Sequence, residues 1–101
     1  MAGSAAANWR VLYHPLVPGD LDSLGPTAAA RIIEVIHHRL HLGEPDKIGK
    51  PLSGDLAGCR RIRVGALRIV FRLLPGRREV HVLAVGPRRR EEVYTQAAKR
   101  L

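Results

Sequence analysis

Apolar and polar residues alternate with a period of two near the start of the chain and through most of its second half. Between these stretches the period lengthens to that of a helix. Trp9, Val11 and Tyr13 alternate with Arg10 and Leu12, which predicts a first strand closed by His14-Pro15. Pro18-Gly19-Asp20 can start a short helix that includes Leu21 and Leu24. After Gly25-Pro26, Thr27 is placed to cap a long helix. Ile32, Ile33, Val35, Ile36 and Leu40 give that helix a buried stripe, with Arg31, Glu34, His38 and His41 mostly off it. Gly43 ends the helix, and residues 43–58 read as a Gly- and Pro-rich loop containing Gly49-Lys50-Pro51-Leu52. Strands follow over Arg60–Val64, Leu67–Leu74 and Glu79–Val85, separated by turns at Gly65-Ala66 and at Pro75–Arg78. Gly86-Pro87 breaks the last strand, and residues 90–101 form a helix with Val93, Ala97 and Leu101 on one stripe. The order β-α-α-β-β-β-α predicts a single small α+β domain over residues 9–101, with a mainly antiparallel twisted sheet. The two N-terminal helices pack on one face of that sheet, and a C-terminal helix completes the fold. The Ala-rich stretch 1–8 lacks the basic and apolar regions of a signal peptide and reads as a disordered tail.

The Gly65-Ala66 turn fixes the register of the strands around it, with Gly suited to the first position of a type II′ turn. Val64 then faces Leu67, Arg63 faces Arg68, Ile62 faces Ile69, and Arg61 faces Val70. Alternation puts the apolar pairs on one face. Arg61, Arg63, Arg68 and Arg72 fall together on the other. Like charges directly across strands destabilise a sheet by a few tenths to ~1 kcal/mol. A fold tolerates such a cluster if it grips an anion, and the planar arginine fork suits phosphate.

Charge sharpens this picture. The chain has 101 residues and a formal net charge of +8. Residues 1–59 carry five Lys/Arg against six acids, whereas residues 60–101 carry twelve against three. All the excess positive charge therefore lies in the second half, which points to a polyanion, most simply nucleic acid. The alternative is a solvated basic face. A single cysteine, Cys59, excludes an internal disulfide and fits a reducing cytoplasm. Arginines beside it can lower a thiol pKa, but no base is paired with it, which favours a structural role. No apolar run approaches membrane-spanning length, so no membrane partner is expected. His37 and His41 have the helical spacing of metal ligands but no third ligand nearby, so no metal site is expected.

Four segments in order carry a family resemblance: Gly49-Lys50-Pro51-Leu52, residues 58–64, residues 67–71, and Val85-Gly86-Pro87-Arg88-Arg89-Arg90-Glu91-Glu92-Val93-Tyr94. With them, nearly the whole chain from Trp9 resembles the RelE branch of the RelE/ParE toxin superfamily. That resemblance implies the same element order and an endoribonuclease that cleaves mRNA, typically in the ribosomal A site. It also implies silencing by a cognate antitoxin, with the toxin alone monomeric and the pair a hetero-oligomer. It assigns catalytic roles to Arg61, Arg63, Arg68, Arg88 and Tyr94. The other basic residues expected to contact RNA are Lys50, Arg72, Arg89 and Arg90. Arginine at 61 and 63 departs from the lysines of well-studied members, and Pro87 stands where a basic residue is common.

The implied reaction is attack of a ribose 2′-OH on its own 3′-phosphate. The nucleophile belongs to the substrate, so no metal or cofactor is required. The protein must orient RNA, stabilise phosphorane charge and move protons. Arg63 and Arg68 suit the nonbridging oxygens, Arg88 the leaving oxygen, and Tyr94 a stacked base. Arginine stays protonated in proteins, so Arg61 is an awkward base. Either water accepts the proton while Arg61 acts electrostatically, or Tyr94 or His81 contributes. Two other readings share the fold: a ParE-like inhibitor of DNA gyrase, and an RNA- or ribosome-binding module without activity.

Overall fold

A computed structural model describes residues 8–101. It shows a five-stranded sheet in the order β1-β5-β4-β3-β2. The strands are β1 (Arg10–Tyr13), β2 (Lys50–Pro51), β3 (Cys59–Val64), β4 (Leu67–Leu74) and β5 (Glu79–Pro87). Helices α1 (Val17–Leu24), α2 (Pro26–Val35) and α3 (Glu92–Lys99) complete the α+β domain. Strand β1 runs parallel to β5 at one edge, and the remaining pairs are antiparallel. The expected disorder of the N-terminal stretch lies outside the described residues except for Asn8, which is exposed.

The β3–β4 hairpin has the register that its turn dictates: Val64 opposite Leu67, Arg63 opposite Arg68, Ile62 opposite Ile69 and Arg61 opposite Val70. Gly65 has φ +61°. This is the positive angle that a type II′ turn asks of its first central residue. A Cβ at Gly65 would touch nothing, so Gly65→Ala introduces backbone strain alone. The expected loss is about 1 kcal/mol. Thermal unfolding should show it as a midpoint lowered by about 4–8 °C.

The sheet is covered on both faces. Ile62, Val64, Ile69, Phe71, Val80, Val82 and Val85 face α1, α2 and the π turn that extends α2 over Ile36–His41, where Val17, Ile32, Ile36 and Leu40 close the main core with Trp9. On the other face Cys59, Val70, Leu83 and Ala84 meet Val93 and Ala97 of α3 and Leu56 in a smaller core. A bulge opposite Val70/Phe71 puts Leu83 into β5 as an extra residue. Leu83 and Ala84 therefore both reach this second core.

Several local expectations are corrected. Gly25, not Thr27, caps α2, because Pro26 takes the first helical position, where a missing N–H is harmless. Ile33 is 42% exposed. The buried series is Ile32, Ile36 and Leu40, spaced four apart, and a π turn over Ile36–His41 carries it to the helix end. Strand β5 continues through Gly86 and Pro87, which pair with Arg68 and Leu67 instead of breaking the ladder. Proline is tolerated there as the terminal strand residue. Leu101 lies beyond α3 and is 53% exposed. Helix α3 starts at Glu92 because Arg90 and Glu91 both adopt left-handed backbone angles. Part of the supposed loop forms β2, paired with β3 as Lys50 opposite Arg61 and Pro51 opposite Arg60.

Candidate functional site

Gly49 lets β2 lie close to β3. Its φ is +79°, and a Cβ there would sit 2.8 Å from the Arg61 carbonyl oxygen. This packing places Lys50 beside Arg61. The segment after β5 is tied to the hairpin turn by the Arg88 N–H, which donates to the Ala66 carbonyl at 3.3 Å. An open cleft of about 430 Å³ lies between these two supports. Arg61 and Arg63 form its floor, Lys50, Leu52, Ser53 and Leu56 one wall, and Arg88, Glu91 and Tyr94 the other. Of the residues expected in the site, it therefore brings together Lys50, Arg61, Arg63, Arg88 and Tyr94.

Tyr94 is half-buried and packs against the second core while also lining the cleft. A ring anchored in this way loses little further freedom when a base stacks on it. Arg63 and Arg88 are exposed and Arg61 is half-buried, so their guanidinium groups are available to a ligand.

Arg68 does not line the cleft. It is opposite Arg63 in register but only 6% exposed. Its Nη1 donates to the carbonyls of Gly65 at 3.0 Å and Leu67 at 2.9 Å. Its Nε is buried without a partner among the described residues. In this conformation Arg68 braces the turn that carries Arg63.

Arg72 is exposed but borders a different groove, with His81, Leu83, Arg100 and Tyr13. Val70 and the α3 contacts separate it from the cleft. The four hairpin arginines thus share a face without forming one patch. Arg89 and Arg90 are exposed in the turn before α3 and do not line the cleft.

His81 is not in the cleft either. It faces Arg72, and its Nε2 lies 3.2 Å from Glu79 Oε1. Burial pushes the Cys59 thiol pKa up, against the opposing pull of Arg72. This is the reverse of what a reactive thiol needs. The His37 and His41 rings stack at 5.4 Å, and His41 Nδ1 lies 2.8 Å from the Trp9 carbonyl oxygen. Among the described residues no group of three or more His, Cys, Asp or Glu is placed to hold a metal. No helix among them is long and apolar enough to cross a membrane.

Two features of the site were not anticipated. Arg39 approaches Lys50, Arg61 and Arg63 from the π turn and extends the basic floor sideways. Glu91 supplies a carboxylate to the cleft wall and pairs with Arg88, Nε to Oε1, at 3.5 Å. The three-residue spacing from Arg88 was the available signal, hidden because a helix was expected from residue 90.

A family model described as the ParE toxin of the type II toxin–antitoxin system parDE matches residues 7–92. The chain belongs to the RelE/ParE superfamily of type II toxins. The protein named Toxin RelE from Mycobacterium tuberculosis is 33% identical to this toxin over 69 residues, covering 68% of this chain and 70% of its own. The toxin also resembles the RelBE2 toxin–antitoxin complex of that organism, with 30% identity and a TM-score of 0.74 over 82% of this chain and 94% of the solved one. A free mutant of Escherichia coli RelE has a TM-score of 0.75 over 94% of this toxin and 99% of its own chain. At 22% identity that likeness is one of fold.

Proposed function

We propose that this toxin is a metal-independent endoribonuclease that cuts mRNA, most effectively on the ribosome, and so inhibits translation. The observation that carries the reading is the convergence of Arg61, Arg63, Arg88, Lys50 and Tyr94 on one open cleft. Three guanidinium groups suit a phosphate whose charge grows as the ribose 2′-OH attacks it. Arg63 and Arg61 from the floor and Arg88 from the wall surround the phosphate and neutralise the charge that develops on its oxygens. Tyr94 stacks on a base and helps to splay the scissile bond into line. Lys50, Arg89 and Arg90 hold the flanking backbone electrostatically. Arg68 contributes by fixing the turn beneath Arg63. The products are a 2′,3′-cyclic phosphate and a 5′-OH.

The toxin works where mRNA is translated, in the cytoplasm, and is held silent by a cognate antitoxin. The relatives solved as RelE–RelB complexes support that partner. The cationic cleft suits an acidic antitoxin segment, which would neutralise it.

A second reading comes from the matching family model, which is named for ParE. It makes the toxin an inhibitor of DNA gyrase. Primer extension on translated transcripts after induction separates the two. Cuts phased to codons are expected. Intact mRNA together with an SOS response and loss of supercoiling would replace the nuclease reading with the gyrase one.

A further inference from the structure

The cleft contains one acid. Its other polar side chains are arginines, a lysine, a serine and a tyrosine. Arginine and lysine are donors only, and a serine hydroxyl or a phenol keeps its proton at neutral pH. None of these readily accepts the proton that a 2′-OH must lose. A carboxylate does, and Glu91 provides one beside Arg88. Resting on the ribonuclease reading above, we propose that Glu91 is the proton acceptor of the reaction.

The local geometry supports this role. Glu91 is the N-cap residue of α3, a position where an acid commonly turns back to hydrogen-bond its own helix. Here it makes no such side-chain bond. Instead, left-handed angles at Arg90 (φ 55°) and Glu91 (φ 58°) lift it out of the helical series. Residues held in this region cluster at functional sites. The pair with Arg88 is open, with both side chains 61% exposed, so RNA can enter between them and the floor. With Arg88 on a nonbridging oxygen of the phosphate, the carboxylate 3.5 Å from that guanidinium can reach the 2′-OH on the attacking side.

In the reaction, the Glu91 carboxylate takes the 2′-OH proton while O2′ forms a bond to phosphorus. The P–O5′ bond breaks, and its electron pair leaves with O5′. Water in the open cleft protonates O5′, and Glu91 returns its proton to water. The alternative role for Glu91 is to balance the charge of the cationic cleft. The two roles differ in how the rate depends on pH. The groups facing Glu91 are Arg61, Arg63 and Arg88, with Lys50 and Tyr94. Those side-chain types do not ordinarily titrate in acid. An acid limb in the rate profile that depends on residue 91 therefore reports the carboxylate.

The test is single-turnover cleavage of mRNA on programmed ribosomes by wild-type toxin, Glu91→Gln and Glu91→Asp. Glu91→Gln should cut at least about 100-fold more slowly at pH 7. It should also lose the acid limb that the wild type shows, while binding ribosomes at least as tightly. Glu91→Asp should keep the limb at a reduced rate. Full-rate cleavage by Glu91→Gln, or a slowed variant that keeps the limb, would overturn the proposal and leave the nuclease reading standing. A wild type that cuts no mRNA would remove both.

Discussion

On the ribonuclease reading proposed above, replacing Arg63 by alanine is expected to lower the cleavage rate about a thousandfold while leaving the protein as stable as before, or slightly more so. The catalytic loss follows from removing one fixed donor to the developing phosphorane charge, an effect of roughly 10²–10³ in rate. Arg63 should lie at the upper end because it sits on a strand rather than a loop. Its position is set by an antiparallel register on one side and by the Arg68-braced turn on the other. The stability effect has the opposite sign. Arg63 faces Arg68 directly across the strands, and such like-charge pairs cost a few tenths to ~1 kcal/mol. The side chain is exposed, so its truncation leaves no cavity. Stopped-time cleavage on ribosomes and urea unfolding would be measured on the same preparation. A variant that unfolds more easily would give Arg63 a structural role, and one that still cuts within tenfold of wild type would remove it from the catalytic set. Loss of function with a gain in stability is the expected signature of charge concentrated for binding.

The hairpin was legible because a two-residue turn allows one register, and alternation then assigns every side chain to a face. Alternation does not say what covers a face. Val70 was the one apolar residue among the hairpin arginines, and it marks where α3 lands. That landing separates Arg72 from Arg61 and Arg63. Arg68 was assigned to the correct side of the sheet, but its rotamer is set by two turn carbonyls that no sequence period encodes. Strand β2 has two residues, too few to show any period. Glu91 was hidden for a related reason. Helical composition from residue 90 onward gave no sign that two consecutive non-glycine residues would turn left-handed before the helix starts.

Breaking the Asp20–Arg100 pair is expected to be the largest single loss of stability outside the apolar core. Asp20 lies on α1, on one side of the sheet, and Arg100 follows α3 on the other. They meet at the edge of β5 beyond the last residue paired with β1. Asp20 accepts from Arg100 through both carboxylate oxygens, at 2.7 and 3.1 Å. It also accepts the Val85 N–H at 3.1 Å, and Arg100 donates to the Leu83 carbonyl at 3.0 Å. The pair thus satisfies backbone groups of an uncovered strand edge and links the two layers. Its side chains are only 9–10% exposed. Asp20→Asn strands a buried guanidinium, at a cost of about 3–5 kcal/mol. For a chain of this size that lowers the thermal midpoint by more than about 12 °C. Arg100→Met should cost a similar amount, because it leaves the buried Asp20 carboxylate with the Val85 N–H but no counter-charge. The double variant Asp20→Asn/Arg100→Met should be more stable than the sum of the two single losses predicts, because it strands neither charge. Strict additivity in urea unfolding would mean that the pair is not coupled. The cleft walls do not include either residue, so below its lowered midpoint Asp20→Asn should cut RNA at a rate per folded molecule within a few-fold of wild type. A much larger drop would show that α3 carries Tyr94 into place only while Arg100 is held.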